Sequence, residues 1–410
     1  MNIIEELKQR GIFKQISNYQ KFLNLPSNSG VYVGFDPTAE SLHLGNYIQI
    51  VNLIRFQKYG FKTYAILGGA TGMIGDPSFK ENERQLLDEK TILINKNKIK
   101  KQLEKFNLTV IDNFDFYQNM TVIDFLRHVG KLVNISTMLS KDSVSARIEK
   151  GLSFTEFAYQ LIQGWDFATL YKNYNVCIQY GGSDQWGNII TGLDMIAQIH
   201  GSNHNAIALT ANLLTDSNGV KFGKSTGGGN NWIDSEKTKP YLLYQFLVTQ
   251  PDSEVEKLLK WLTFLTIEEI DKLIKNHFQN SKLKLAQKKL AFEVIKDIHS
   301  YNEAKKSEII SDLLFNKDID FKRISIEDVK SIKYDLPLIK VKMQSNLVEK
   351  LINFKLIQSK REAREFIANK SLKINGIPIE ENFLMQSNLY ENKFAFLNIG
   401  KKKFYLIEIN

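Results

Sequence analysis

Short apolar runs alternate with longer helical patterns between about residues 30 and 215. The apolar runs have the length of strands, and their sequences are GVYVGF, FKTYAILGG, NVCIQYGG and NAIALTANLL. Strands of this kind with helices between them predict a parallel sheet in an α/β fold. Two runs end in glycine pairs, Gly68–Gly69 and Gly181–Gly182. Such a pair forms a tight turn, or it lets the backbone approach a ligand at the carboxyl edge of the sheet.

The pattern changes at Pro240. From there to about Ile319 strand signals almost disappear, and long polar–apolar stretches such as KLAFEVIKDIHSYNEAKKSEIISDLL predict a helical domain. A polar, weakly patterned section then leads into a last unit that is enriched in Lys and Arg. The predicted division is 1–239, 240–319, a linker at 320–343, and 344–410.

Composition narrows the function classes. The single cysteine, Cys177, excludes an internal disulfide and a cysteine-built zinc site, and it fits a reducing compartment such as the cytoplasm. The opening segment MNIIEELKQRGIF is charged, and no run reaches about 18 consecutive apolar residues, so we expect no signal peptide and no membrane span. A net charge of +9 favours a polyanionic partner such as nucleic acid, although a Lys-rich composition would produce the same value.

The first predicted strand leads into a helix with a histidine in its first turn. Ser41 is predicted to cap this helix, and apolar positions from Leu44 keep helical spacing until Gly60. Unpaired N–H groups and the helix dipole at this position favour an anion, and a phosphate is the obvious candidate for His43. A solvated histidine is the alternative. Gly45 would leave the backbone open to a flat ligand.

Two glycine-rich segments carry acids and cations. In GGATGMIGDPSFKENER, Asp76 suits an ammonium group, and Lys80 and Arg84 suit phosphate. In GVKFGKSTGGGNN, Lys221 and Lys224 lie in a loop that lacks the spacing of a P-loop. Two lysines there would stabilise charge on the phosphates of ATP as the loop closes, and a solvated turn is the alternative.

Polar residues also recur near the third strand. In EFAYQLIQGWDF, Tyr159, Gln163 and Asp166 follow at intervals of four and three and therefore share one helix face. The polar face of a surface helix is the alternative. In QYGGSDQWGN, Asp184 and Gln185 come just after the strand.

Several of these segments resemble a known family. HLGN and KFGKS resemble the HIGH and KMSKS signatures of class I aminoacyl-tRNA synthetases. GFDPTAESLHLGN, GGATGMIGDPS, SFTEFAYQ and GGSDQWGN match the pattern of bacterial-type tyrosyl-tRNA synthetases in the same order. The resemblance covers nearly the whole chain. It implies a Rossmann-like parallel-sheet catalytic domain, an α-helical domain and a small α+β alpha-L RNA-binding domain.

The resemblance also implies roles for single residues. The positions that match tyrosine-binding ones are Tyr32 and Asp166 for the phenolic hydroxyl, Asp76, Tyr159 and Gln163 for the ammonium group, and Gln185 near the carboxylate. The positions that match those acting on ATP phosphate or the leaving pyrophosphate are His43, Asn46, Lys80, Arg84, Lys221 and Lys224. The positions that match those lining ATP or the adenylate are Asp36, Gly45, Gly182, Asp184 and Lys224. Asn46 replaces the second histidine of the signature and keeps one donor.

The implied reaction is that of a tyrosine–tRNA ligase. ATP, as a substrate with Mg²⁺, would activate L-tyrosine, and the tyrosyl group would pass to the 3′-terminal adenosine of tRNA for tyrosine. The carboxylate of tyrosine needs no general base, so catalysis would depend on positioning and charge stabilisation. We predict no protein-bound metal. The family also implies a homodimer, through the helix around VIDFLRHVGKLVN.

The tail segment LIQSKREAREFIANKSLKINGIPI fits the alpha-L motif. Its basic residues, proposed for tRNA binding, are Lys360, Arg361, Arg364 and Lys370. Basic residues on a short helix beside a turn at Asn375–Gly376 suit a structured RNA backbone, and a solvated helix face is the alternative.

Two other functions compete with this one. A tryptophanyl-type class I synthetase shares the signatures, but Tyr32 with Asp166 favours a phenolic hydroxyl over an indole. A non-catalytic RNA-binding paralogue would keep the tail and lose His43 or the lysine loop, 221–225, and both are present in the sequence.

Overall fold

The computed structural model describes residues 2–76, 87–141, 144, 151–215, 222, 231–316, 319–400 and 403–410. Lys80, Arg84, Lys221 and Lys224 lie outside the described residues. The chain divides into two compact units. The first comprises Met1–Lys239 and Gln250–Leu290, and the second comprises Pro240–Thr249 and Ala291–Asn410. The predicted division into three domains and a linker stays a prediction.

The first unit contains a six-stranded sheet in the described part of the chain, with the order β1-β6-β5-β2-β3-β4. Its strands are β1 Phe13–Ile16, β2 Gly30–Phe35, β3 Lys62–Leu67, β4 Thr109–Asp112, β5 Val176–Gly182 and β6 Ile207–Ala211. All neighbours are parallel except β1, which runs antiparallel to β6. The predicted α/β fold with a parallel sheet is therefore confirmed.

The sheet has a switch point between its two central strands. β2 pairs with β3 on one side and with β5 on the other, so that Tyr32 lies between Tyr64 and Gln179. The strand order reverses there, and open parallel sheets bind ligands in the crevice outside the carboxyl ends of such strands. Every residue of β5 and β6 is buried, as expected for parallel strands covered on both faces by helices.

Helices follow most strands. They are α1 Ile3–Gln9, α2 Tyr19–Leu23, α3 Leu44–Lys58, α4 Thr71–Ile74, α5 Glu89–Glu104, α6 Val122–His128, α7 Ile135–Leu139, α8 Phe154–Tyr174, α9 Trp186–His200, α10 Pro240–Val248, α11 Asp252–Leu262, α12 Ile267–Gln279, α13 Leu285–Ile298, α14 Tyr301–Phe315, α15 Ile326–Ile332, α16 Leu347–Asn353 and α17 Lys360–Ala368. Within the described ranges, none of these helices has the length and apolar character needed to cross a bilayer.

The second unit has its own sheet, with the order β7-β11-β10-β8-β9. Its strands are β7 Leu338–Val341, β8 Leu372–Ile374, β9 Ile377–Pro378, β10 Phe394–Ile399 and β11 Lys403–Ile409. β10 and β11 are antiparallel, whereas β7 is parallel to β11. With α16 and α17 this sheet forms the predicted C-terminal α+β region. α15 and β7 lie within 320–343, where the pattern predicts no element.

Candidate active site

A cleft of about 310 Å³ opens at the carboxyl edge of the sheet in the first unit. Residues at or just beyond the ends of β2, β3, β5 and β6 line it, as the switch point leads one to expect. It is lined by every described residue that the sequence assigns to tyrosine or ATP: Tyr32, Asp36, His43, Gly45, Asn46, Asp76, Tyr159, Gln163, Asp166, Gly182, Asp184 and Gln185. The structure thus brings residues from five separate segments together, and their individual roles remain predictions.

One end of the cleft is a buried carboxylate with two donors. Asp166 on α8 is 3% exposed. The Asn113 side-chain amide donates to its Oδ2 at 2.8 Å, and the Tyr117 hydroxyl donates to its Oδ1 at 2.6 Å. Burial raises the pKa of Asp166 to about 7, although these two hydrogen bonds act in the opposite direction.

Tyr32 lies at the same end on β2. It is 2% exposed, and its hydroxyl oxygen has no hydrogen-bond partner among the described residues. Burial and the nearby charge of Asp166 raise its pKa well above the ordinary value, so the hydroxyl stays protonated. An unpaired buried hydroxyl costs about 1–3 kcal/mol, which a polar ligand atom would recover.

A second carboxylate, Asp36, follows β2 directly. Thr71 donates to its Oδ1 at 2.7 Å, and the Tyr159 hydroxyl donates to its Oδ2 at 3.0 Å. The close approach depends on Gly68, because a Cβ atom there would lie 2.1 Å from Asp36 Oδ1 and 2.4 Å from Thr71 Oγ1. One member of the predicted glycine pair is therefore explained by packing around Asp36.

Amide side chains line another part of the cleft, next to Asp76. The Gln185 amide donates to Asp76 Oδ2 at 2.9 Å, and Asn188 donates to Gln185 Oε1 at 3.2 Å. Gln163 Oε1 is buried and has no partner among the described residues. Carboxylate and amide oxygens together suit an ammonium group, which is a donor only.

His43 caps helix α3, so the prediction of Ser41 as the cap is wrong. His43 Nδ1 accepts from the Gly45 N–H at 3.0 Å, and Asn46 Oδ1 accepts from the His43 N–H at 3.1 Å. Ser41 lies two residues before the cap position, and its hydroxyl contacts the Leu42 carbonyl oxygen at 2.8 Å and Gln102 Oε1 at 3.3 Å instead of the first turn of α3. With Nδ1 as an acceptor, the ring proton of neutral His43 lies on Nε2, which makes that atom a donor for a phosphate.

Gly45 is required by the cap as well as by the cleft. A Cβ atom at Gly45 would lie 2.7 Å from His43 Cε1 and 3.0 Å from the Phe222 carbonyl oxygen. Asn46 uses Oδ1 in the cap, so its Nδ2 is the atom that can donate to a ligand. No group of three or more His, Cys, Asp or Glu side chains in the described ranges is arranged to hold a metal ion.

Sequence reasoning missed residues that support the cleft. Asn113 and Tyr117 bond to the buried carboxylate of Asp166, and Thr71 bonds to the half-buried carboxylate of Asp36. Gln49 and Gln179 line the cleft with buried amide oxygens that have no partner among the described residues. Asn113 follows β4 just as Asp36 follows β2, so the rule for strand ends could have found it. Nothing in the spacing marks Tyr117.

The predicted tRNA-binding residues lie on and just after α17 in the second unit. Arg361 is 92% exposed, and its Nε lies 3.5 Å from Glu365 Oε1. Arg364 Nε donates to both carboxylate oxygens of Glu381, at 2.9 and 3.1 Å. Lys370 is exposed, and Lys360 lines a shallow groove with Glu349, Glu380 and Glu381. The turn at Asn375–Gly376 has left-handed backbone at both residues, as Gly and Asn allow.

Comparison with known proteins gives the class. A family model described as "tRNA synthetases class I (W and Y)" matches residues 26–316, and one described as "Tyrosine--tRNA ligase SYY-like C-terminal domain" matches residues 328–407. The parallel sheet, the cleft at its carboxyl edge and the first match define a class I aminoacyl-tRNA synthetase.

Full-length relatives narrow this further. A tyrosine–tRNA ligase of Mycoplasmopsis synoviae is 58% identical over 99% of both chains, and one of Mycoplasmopsis agalactiae is 53% identical over the full length of both. The crystal structure of a C-terminally truncated mitochondrial tyrosyl-tRNA synthetase from Aspergillus nidulans matches with a TM-score of 0.70 at 30% identity, covering 77% of this chain and 94% of that one. The chain therefore belongs to the tyrosine–tRNA ligase family, and the tryptophanyl and non-catalytic alternatives are not favoured.

Proposed function

We propose that the chain activates L-tyrosine with ATP and then transfers the tyrosyl group to the 3′-terminal adenosine of tRNA for tyrosine. Family membership supports both steps. The observation that carries the proposal is that the buried pair Tyr32 and Asp166 and the first turn of α3 line the same cleft. The buried pair suits a phenolic hydroxyl, and the helix start suits a phosphate.

Tyrosine binds through both of its ends. Its hydroxyl donates to Asp166 and accepts from Tyr32, which satisfies the unpaired phenol oxygen of Tyr32. Its ammonium group meets Asp76, Tyr159 and Gln163, and its carboxylate lies near Gln185. Phenylalanine would leave the buried Tyr32 hydroxyl without a partner and would offer no donor to Asp166, so it is rejected at the binding step.

ATP enters as its Mg²⁺ complex next to α3. A carboxylate oxygen of tyrosine attacks the α-phosphorus, the bond to the β-phosphate oxygen breaks, and tyrosyl-adenylate and pyrophosphate form. His43 Nε2–H, Asn46 Nδ2–H and the dipole of α3 stabilise the charge that develops. The adenylate lies along Asp36, Gly45, Gly182 and Asp184. By family match, pyrophosphate leaves along cations outside the described residues: Lys80, Arg84, Lys221 and Lys224.

In the second step a ribose hydroxyl of the terminal adenosine attacks the carbonyl carbon of tyrosyl-adenylate, and AMP leaves. The body of the tRNA is held by its phosphates through Lys360, Arg361 and Lys370. Arg364 contributes less, because Glu381 already binds it through both carboxylate oxygens.

The enzyme works as a homodimer in the cytoplasm, where its substrates are found. Support for the dimer comes from a strongly apolar surface on α6 and α7, which includes Val122 at 74%, Ile123 at 62% and Ile135 at 66% exposure. Several large apolar side chains exposed within one short stretch of the chain are typical of an association surface.

Amino-acid-dependent exchange of pyrophosphate into ATP tests the first step. We expect exchange with tyrosine and little with phenylalanine or tryptophan, and Asp166→Ala should erode the preference for tyrosine over phenylalanine. Exchange driven by tryptophan would support the tryptophanyl alternative instead. Absence of exchange with all three amino acids, while the chain still binds tRNA, would support the non-catalytic alternative.

A further inference from the structure

Tyr117 lies behind the Asp166 end of the cleft: it bonds to Asp166 but does not line the cleft itself. It follows the 3₁₀ turn Asn113–Phe116 after β4, and its hydroxyl oxygen lies 2.6 Å from Asp166 Oδ1 and 2.8 Å from the Ile162 carbonyl oxygen. Both acceptors belong to α8, one helical turn apart. A hydroxyl has one proton, so Tyr117 can donate fully to only one of them at a time.

The two contacts fit the two charge states of Asp166. When the carboxylate is ionised, the charge-assisted bond favours donation from Tyr117 to Asp166. When the carboxyl is protonated, its own O–H can donate to the Tyr117 oxygen, and the Tyr117 proton can turn to the Ile162 carbonyl. Tyr117 is therefore bonded in either state, and the carboxyl keeps one orientation.

We propose that Tyr117 is a positioning residue for recognition of the substrate hydroxyl, acting through Asp166. Among the described residues, Asn113 binds Oδ2 and Tyr117 binds Oδ1, so the plane of the carboxylate is fixed and the remaining lone pairs are left for a ligand. This inference rests on the proposed function, because it assumes that the cleft binds tyrosine through its hydroxyl.

The charges around Asp166 give the role of Tyr117 a measurable signature. Carboxylates at Asp36 and Asp112 act with burial to raise the pKa of Asp166, whereas the hydrogen bonds from Asn113 and Tyr117 lower it. Among the described residues, the buried phenols Tyr32 and Tyr159 also interact with Asp166, and their pKa values are raised, so they stay neutral. Removing the Tyr117 hydroxyl should therefore raise the pKa of Asp166 further.

The test is Tyr117→Phe in the full chain, which removes one oxygen atom and keeps the ring. The matched control is Tyr64→Phe, since Tyr64 donates to the Tyr174 carbonyl oxygen at 3.5 Å and does not line the cleft. Tyrosine-dependent pyrophosphate exchange is measured from pH 6 to 9, and thermal unfolding of each variant checks the fold.

For Tyr117→Phe at pH 7 we expect the KM for tyrosine to rise about ten-fold with little change in kcat. The pH midpoint of tyrosine binding should move up by about one unit, because binding needs the ionised form of Asp166. Tyr64→Phe should match the wild type in KM and in midpoint.

The outcomes separate this inference from the proposed function. If Tyr117→Phe keeps the wild-type KM and midpoint while Asp166→Asn loses tyrosine selectivity, Tyr117 has no positioning role and the proposed function stands. If Asp166→Asn keeps its selectivity, hydroxyl recognition by Asp166 is wrong and both fail. A KM that rises equally at every pH in Tyr117→Phe would indicate a packing defect and would also overturn the inference.

Discussion

The side chain of His43 has one observed function, as a helix cap, and one proposed function, as a donor to phosphate. Its Nδ1 caps α3, and its opposite ring nitrogen is the proposed phosphate donor. A histidine is an unusual cap, since Ser, Thr, Asp and Asn are the preferred types. Its presence at this position is therefore better explained by the donor than by helix stability.

Two variants of His43 separate these functions. His43→Ala should lose the cap and the phosphate donor. The loss of the cap should lower the free energy of unfolding by about 1 kcal/mol, and the loss of the donor should remove about 2.7–4 kcal/mol of transition-state stabilisation from adenylate formation. His43→Asn keeps a good cap, so it should recover the stability and only a small part of the rate. Single-turnover adenylation and urea unfolding measure the two effects. A wild-type rate in His43→Asn would assign His43 to the cap alone.

Sequence patterns find residues that face the ligand more readily than those that support them. Asp166 shares a helical spacing with Tyr159 and Gln163, and that periodicity marks the face. Tyr117 approaches Asp166 from another part of the chain, and such a contact depends on the packing of the 3₁₀ turn Asn113–Phe116 against α8, which no local spacing encodes. The cap at His43 was missed for a similar reason, because the Ser41 hydroxyl and the Leu42 N–H both donate to Gln102 Oε1, which lies far along the chain.

At the scale of elements, a buried arginine ties α3 to α11. Arg55 is 1% exposed and donates to the carbonyl oxygens of Lys260, Trp261 and Thr263 at 2.9, 3.2 and 2.8 Å. Arg10 adds bonds to the Lys260 and Leu265 carbonyls. The carbonyls of Lys260, Trp261 and Thr263 lie at the C-terminal end of α11, where the helix dipole favours a cation. α3 carries His43 at its start, and Trp261 of α11 lines the same cleft.

Arg55→Ala should therefore destabilise the first unit by about 3 kcal/mol, because it leaves buried helix-end carbonyls without donors. The variant should also lose exchange activity as Trp261 shifts. Lys58→Ala is the matched control, since Lys58 is an exposed cation on the same helix whose Nζ lies 4.0 Å from the centroid of the Phe264 ring. Its expected cost is below about 1 kcal/mol. Equal urea midpoints for the two variants would contradict a structural role for Arg55.

Element types were predicted more accurately than element limits. Apolar runs bounded by glycine mark β2, β3 and β5, because strands buried on both faces leave a continuous apolar signal. The stretch 320–343 lacks that signal. β7 has only four residues, and one of them, Lys340, is exposed, so the strand is specified by its pairing with β11 about 68 residues later. Pairing over that distance cannot be recognised from a local pattern.

At the scale of the whole molecule, the net charge of +9 bears on tRNA binding. The double variant Lys360→Glu and Arg361→Glu should raise the KM for tRNA about ten-fold or more and leave tyrosine-dependent pyrophosphate exchange unchanged. The reason is that these residues are proposed to contact tRNA phosphates, and tRNA takes part only in the second step. Lys360→Arg with Arg361→Lys keeps the charge and should behave as the wild type. Aminoacylation at several salt concentrations measures both. An unchanged salt dependence in the charge-reversed variant would exclude these residues from the interface.

The apolar surface on α6 and α7 gives the expected assembly. Val122, Ile123 and Leu126 on α6 and Ile135 on α7 are at least half exposed, although side chains of this size usually avoid water. A second copy is the proposed occupant, since symmetric dimers bury the same patch on both subunits. A charged residue at the centre of such a patch would be removed from water on both subunits when the dimer forms, and this would oppose association.

Ile123→Asp should therefore give a particle near the chain mass of 47.2 kDa in light scattering, whereas the wild type should have twice that mass. Leu242→Asp is the control, because Leu242 is 57% exposed on α10 and lies outside the patch. It should keep the dimer mass. A monomeric wild type at micromolar concentration would refute the dimer, and a dimeric Ile123→Asp would move the interface away from α6. If only Ile123→Asp dissociates, the apolar side chains of α6 are what holds the two subunits together.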